Sequence, residues 1–171
     1  MSVVAPVWNA LQIVVFSFDI PNKIRMKKLS YKISILAPAE KVWESLWNEH
    51  TYAAWTSPFG EGSAIDIKDW KEGGRVHFIA AGGHGMYSDI VKMTANKYIS
   101  FRHLGEVKDG QELPIDEKTR EWSGWMENYT LTESNGQTAL LVEVDMHEKD
   151  AGFMDEAFPK ALDKLKEISE L

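Results

Sequence analysis

Two adjacent glycines, Gly73 and Gly74, sit in the stretch KEGGRVHF (residues 71–78), between a charged turn and an alternating apolar run. Glycine reaches positive φ and lets another backbone come close, so the pair marks a tight turn or bulge that aims the strand after it. Ahead of it lies an amphipathic helical pattern, and behind it a series of strands closes on one long helix. The chain reads as a curved sheet gripping a C-terminal helix, with any functional space between the two.

Local spacing supplies the elements. Tyr31, Ile33 and Ile35 alternate with Lys32 and Ser34, the pattern of a strand with one buried face. Pro38 suits the first turn of a helix, and Val42, Trp43, Leu46 and Trp47 follow at helical spacing, which predicts a helix over 38–47. Residues 50–55 predict a second, short helix. Strands are expected over 64–70, 75–81, 86–94 and 98–104, with His77 on the outer face of its strand and His84 at a solvated glycine-rich tip. Residues 105–120 are polar, acidic and interrupted by Gly110 and Pro114, a connection long enough to be a binding loop or lid. The clearest hairpin joins 121–133 to 138–147 through Ser134-Asn135-Gly136. Residues 150–171 read as a long helix striped by Phe153, Ala157, Ala161, Leu165 and Ile168, and widened by Phe158 and Leu162. The order is strand, two helices, six strands, long helix.

Composition narrows the function classes. The 171 residues fit one domain, with 26 acidic against 19 basic residues and a net charge of −7. No basic run interleaves with aromatics, so nucleic-acid binding lacks its electrostatic drive. The absence of cysteine excludes disulfides and thiol chemistry and fits a cytoplasmic setting. No apolar run approaches the roughly 20 residues that a membrane span needs. Seven Trp and seven Phe suit either a dense core or the lining of a cavity.

Residues 1–25 read differently from the rest. The segment 11–18 is mostly apolar, yet no Lys or Arg precedes it and no small-residue cleavage site follows, so a signal peptide is not the favoured reading. Met26-Lys27-Lys28 has the look of a start placed just before the first strand. Residues 1–25 are therefore expected to be an extension ahead of a domain spanning 26–171, or else an extra element docked on it.

The element order resembles the helix-grip fold of the START/SRPBCC superfamily. Within it the chain is similar to the activator of heat-shock-protein-90 ATPase homologue-like family. APAEKVWESLWN (37–48), the short Trp55 helix, KEGGRVHF, KYISFR (97–102), ENYTL (127–131), NGQTALLVEV (135–144) and AFPKALDKLKE (157–167) carry the likeness. It implies an α+β fold: a curved seven-stranded antiparallel sheet wrapped around a long C-terminal helix, with two short helices after the first strand and a cavity between. Members bind lipids, hormones or polyketides, and a minority catalyse cyclisation or related reactions. No cofactor is implied. These motifs specify fold far better than chemistry.

Candidate site residues are polar groups on faces that should be apolar. If Trp125 and Leu131 face the cavity, Glu127 and Tyr129 do too, and Glu127 becomes a general acid or base, or a hydrogen-bond anchor. The alternative is a carboxylate at the sheet rim paired with Lys or Arg. His103 shares the parity of Ile99 and Phe101 and is either a proton shuttle in the cavity or a hydrogen-bonded histidine at a strand end. Trp43, Trp55, Phe59, Phe78, Phe101, Trp122, Trp125, Tyr129, Phe153 and Phe158 are the aromatic candidates for ligand binding, although some must be ordinary core. The histidines show no metal-ligand spacing, and Ser88, Ser100 and Ser123 lack a nucleophile-elbow context.

Three functions are in play. The first is a binding module for an apolar or aromatic small molecule held between sheet and helix. The second is an enzyme of the polyketide cyclase or hydratase type using Glu127 and His103, which requires both side chains in one cavity. The third is a stress-related protein that contacts a chaperone.

Overall fold

The computed structural model describes residues 25–171. The expectations for residues 1–25 fall outside that range, apart from Arg25, whose carbonyl accepts the Glu148 N–H at 2.8 Å. Strand β1 (Met26–Ile35) is followed by helices α1 (Ala39–Trp47) and α2 (Glu49–Trp55) and a single 3-10 turn at Ser57–Phe59. Then come β2 (Ala64–Ile67), β3 (Arg75–Ile79), β4 (His84–Thr94), β5 (Tyr98–Lys108) and β6 (Gln111–Glu112). Helix α3 (Glu117–Arg120), β7 (Met126–Ser134), β8 (Gln137–His147) and helix α4 (Ala151–Ser169) complete the chain.

All strands join one antiparallel sheet in the order β1-β8-β7-β5-β4-β3-β2, with β6 paired to β5. The sheet curves around α4, which packs on α1, α2, the Ser57–Phe59 turn and β1. This is the helix-grip architecture, with eight strands rather than the expected seven. The eighth is the two-residue β6, too short to show an alternating pattern in sequence. It arises because β5 runs on to Lys108, turns at Asp109-Gly110 and folds back. The segment expected to be an open loop over 105–120 is thus strand, hairpin and helix.

The double glycine acts at both of its positions. Gly73 has φ of +79°, and a Cβ on Gly74 would lie 1.9 Å from the Asp69 carbonyl oxygen, so only glycine fits the turn. Gly73 N–H donates to Ile90 O at 2.7 Å, and Ile90 N–H to Gly74 O at 2.9 Å, which ties the turn to β4. At the other end of the sheet Asn135 and Gly136, with φ of 52° and 72°, form the two-residue turn that registers β7 on β8. Thr138 Oγ1 donates to Ala37 O at 2.7 Å, and Glu133 accepts the first helical N–H of α1, from Ala39, at 2.8 Å. The hairpin therefore fixes where α1 begins.

Three sequence expectations about placement change, and a fourth, His77, keeps its face but is covered. Trp43 does not face the space under α4; it packs in a tryptophan cluster with Trp47 and Trp70, with ring centroids about 6 Å apart. Phe153 is 55% exposed, because the buried stripe of α4 runs through Met154, Phe158, Ala161 and Leu165 and Phe153 stands one residue, or about 100°, off it. Phe101 is fully buried beneath Trp47, Phe78 and Tyr129 and serves as core. His77 is on the outer face but is buried, because β6 folds over it and brings Glu112 Oε1 to 2.9 Å from its Nε2.

Candidate functional site

The concave face of the sheet, α2 and α4 enclose a cleft of about 660 Å³. That volume is within the range of small-molecule sites. Helix α2 presents Tyr52 and Trp55, one turn apart on the same face, and the 3-10 turn adds Phe59. Asn48 caps α2 by accepting the His50 N–H at 3.0 Å. Trp55 is held by its indole N–H, which donates to Leu46 O at 3.1 Å. From α4 comes Phe158, stacked on Tyr31 at 4.5 Å and edge-on to Phe59 at 4.8 Å. The sheet contributes Phe78, His103, Glu127, Tyr129 and Val144, and the segment after α3 contributes Trp122 and Trp125. Trp125 meets His147 edge-on at 4.6 Å.

Within these aromatic walls lies one chain of polar side chains. Ser88 and His103 are paired across β4 and β5, and Ser88 Oγ is 2.7 Å from His103 Nδ1. His103 Nε2 lies 3.2 Å from Glu127 Oε2, and Tyr129 O–H donates to the other carboxylate oxygen, Oε1. Phe101 stands opposite Glu127 in the ladder, so the Glu127 side chain projects from the same concave face as Ile99 and Phe101. Only 16% of the Glu127 side chain and 6% of the His103 side chain are exposed. The rim reading of Glu127 is therefore replaced: its partners are a histidine and a tyrosine, and no Lys or Arg among the described residues pairs with it.

The phenols fix the direction of these hydrogen bonds. Burial first, and the Glu127 charge second, push the Tyr129 hydroxyl well above its ordinary value. The same two causes raise Tyr52. Both phenols hold their protons, so Tyr129 donates and Glu127 accepts. The pattern then assigns the imidazole proton to Nε2, donating to Glu127, with Nδ1 accepting from Ser88. Ser88 is fully buried and does not line the cleft. It orients the ring from below and is not placed as a nucleophile, even though a serine, a histidine and a carboxylate meet here.

Of the aromatic candidates, Trp55, Phe59, Phe78, Trp122, Trp125, Tyr129 and Phe158 line the cleft with His103 and Glu127, while Trp43, Phe101 and Phe153 do not. Sequence reasoning passed over Tyr52, whose three-residue offset from Trp55 on a short helix was the available signal. It also passed over Asp145. That side chain is buried, accepts the Met126 N–H at 3.0 Å and has its other oxygen 3.5 Å from Lys28 Nζ, an ion-pair distance too long for a hydrogen bond. At the mouth, exposed Lys118 and half-buried Glu106 carry opposite charges, beside exposed His84. Among the described residues no three His, Asp or Glu side chains gather as a metal site, and no helix is long and apolar enough to cross a membrane.

A curved antiparallel sheet closed on a terminal helix, with a cleft between them, defines a helix-grip domain of the START/SRPBCC type. The match of the Activator of Hsp90 ATPase homolog 1-like protein family to residues 36–170 goes further, and the chain belongs to that family. Solved structures share the fold. Protein MLL2253 from Mesorhizobium loti is 19% identical, with a TM-score of 0.62 over 83% of this chain and 96% of its own. The Aha1 dimer from Colwellia psychrerythraea is 21% identical, with a TM-score of 0.62 over 85% and 97%. DynU16, a protein of the dynemicin biosynthetic locus, is 14% identical, with a TM-score of 0.58 over 86% of this chain and 47% of its own. A search of curated proteins found no match.

Proposed function

We propose that the protein binds an apolar, aromatic small molecule in the cleft between the sheet and α4. The observation that carries this reading is the cleft itself: about 660 Å³ walled by Trp55, Phe59, Phe78, Trp122, Trp125 and Phe158, with His103, Glu127 and Tyr129 linked to one another on its sheet wall. Flat aromatic walls bury a ring system with little loss of side-chain freedom, and a few placed polar atoms orient it. Native mass spectrometry of the purified chain, with solvent extraction of whatever is bound, tests the reading. A stoichiometric apolar ligand, or a thermal shift with members of an aromatic and polyketide panel, is the expected result. A clean apo mass with no thermal shift across the panel would overturn it.

A second reading, catalysis of the polyketide cyclase or hydratase type, draws on the contact between His103 and Glu127 at 3.2 Å on one wall of the cleft. In it, Glu127 takes a proton from a bound ligand, while His103, steadied by Ser88, and Tyr129 hold the carboxylate in place. Glu127→Gln would then keep ligand binding and lose turnover. Contact with a chaperone, the third function, draws on the family description alone.

A further inference from the structure

The polar wall of the cleft has a direction. His103 Nε2–H and Tyr129 O–H both donate into Glu127, and Nδ1 of the same ring is taken up by Ser88. The protons of these groups are therefore spent on one another. What remains toward the cleft is acceptor capacity, since an ionised carboxylate offers about four lone-pair sites and two are filled. Tyr52, on the facing helix, is raised by burial first and by the Glu127 charge second, so it keeps its proton and is a donor outside this wall. A ligand group that reaches this wall has to give a hydrogen bond. A second negative charge would meet a carboxylate among apolar rings, where Coulomb repulsion is far less screened than in water. The rim does not offset this, because Lys118 shares it with Glu106.

We infer that the cleft selects aromatic hydrogen-bond donors, ligands of the phenol or arylamine kind, and turns away ligands that carry a carboxylate, fatty acids included. The inference rests on the binding reading proposed above and names the ligand class of that same site.

Three probes with one ring system separate the two claims: naphthalene, 2-naphthol and 2-naphthoate, each titrated into the full-length chain at neutral pH and followed by ligand-observed NMR. A charge-assisted hydrogen bond gained in one case and repulsion met in the other should make 2-naphthol bind about ten-fold or more tighter than 2-naphthoate, with naphthalene between them. In Glu127→Gln the ratio should fall to within about three-fold, since an amide offers the naphthoate a donor. If naphthalene binds and 2-naphthoate equals or exceeds 2-naphthol, the selection is wrong and the binding reading stands. A wild-type preference that Glu127→Gln leaves unchanged also overturns it. If none of the three binds, both claims fall. Should the variant not fold, the wild-type ratio decides alone.

Discussion

Ser88 is the residue whose removal tests the polar chain most sharply. It is fully buried, makes no wall of the cleft, and has its Oγ 2.7 Å from His103 Nδ1. Ser88→Ala deletes one oxygen and leaves almost no space, so the packing loss is small. The cost comes from the imidazole nitrogen, which is left buried without a partner. Such an orphan costs about 1–3 kcal/mol, and in a chain of this size each kcal/mol moves Tm by roughly 2–4 °C. The expected loss is therefore roughly 2–12 °C by differential scanning calorimetry. The decisive comparison is with His103→Phe as background. There the orphan is the Ser88 hydroxyl itself, so adding Ser88→Ala should be neutral or stabilising, a coupling of about 1 kcal/mol or more. An unchanged Tm in the single variant, or the same loss in both backgrounds, would refute the hydrogen-bonded chain.

Three further outcomes follow from the fold. Phe158→Ala should cost about 3–5 kcal/mol in urea unfolding, because Phe158 is buried between Tyr31 and Phe59, whereas exposed Phe153→Ala should stay within about 0.5 kcal/mol. Gly74→Ala should prevent folding or lower Tm by far more than a surface change, since its Cβ would lie 1.9 Å from the Asp69 carbonyl oxygen; far-UV circular dichroism melts check this. The Leu36 N–H and then Lys166 hold the Glu170 carboxyl below its ordinary value, so its contribution is present above that value and is lost as pH falls through the lowered one. Glu170→Gln should therefore melt below wild type at pH 7, and the gap should narrow as pH falls below the ordinary glutamate range and close once it passes the lowered value.

How much of this was legible depended on whether the signal was local. The alternation of Tyr31, Ile33 and Ile35, the helical spacing of Val42, Trp43, Leu46 and Trp47, and the Asn135-Gly136 turn each lie within one element, and each element is where the pattern put it. The meeting of Ser88 with His103 depends on strand register, which shifts between Tyr87 and Ser88 and again between Ile90 and Lys92. Period-two spacing says nothing about such shifts. Glu127 and His103 could each be placed on a plausible parity, but their contact across β5 and β7 is a property of the assembled sheet. Aromatic identity alone misplaced Trp43 and Phe153. The first has its cluster in Trp47 and Trp70, and the second loses the inward place on α4 to Met154. His77 was put on an outer face, and only the two-residue strand β6 turns that face into a buried one.

The central claim, that the space under α4 is the binding site, is tested most directly by the tryptophan indole N–H signals in a nitrogen–proton correlation spectrum during titration with 2-naphthol. Trp55, Trp122 and Trp125 line the cleft, while Trp43, Trp47 and Trp70 cluster away from it. Saturable shifts confined to the first three are the expected result. Shifts confined to Trp43, Trp47 and Trp70, or none at saturating probe, would contradict the account.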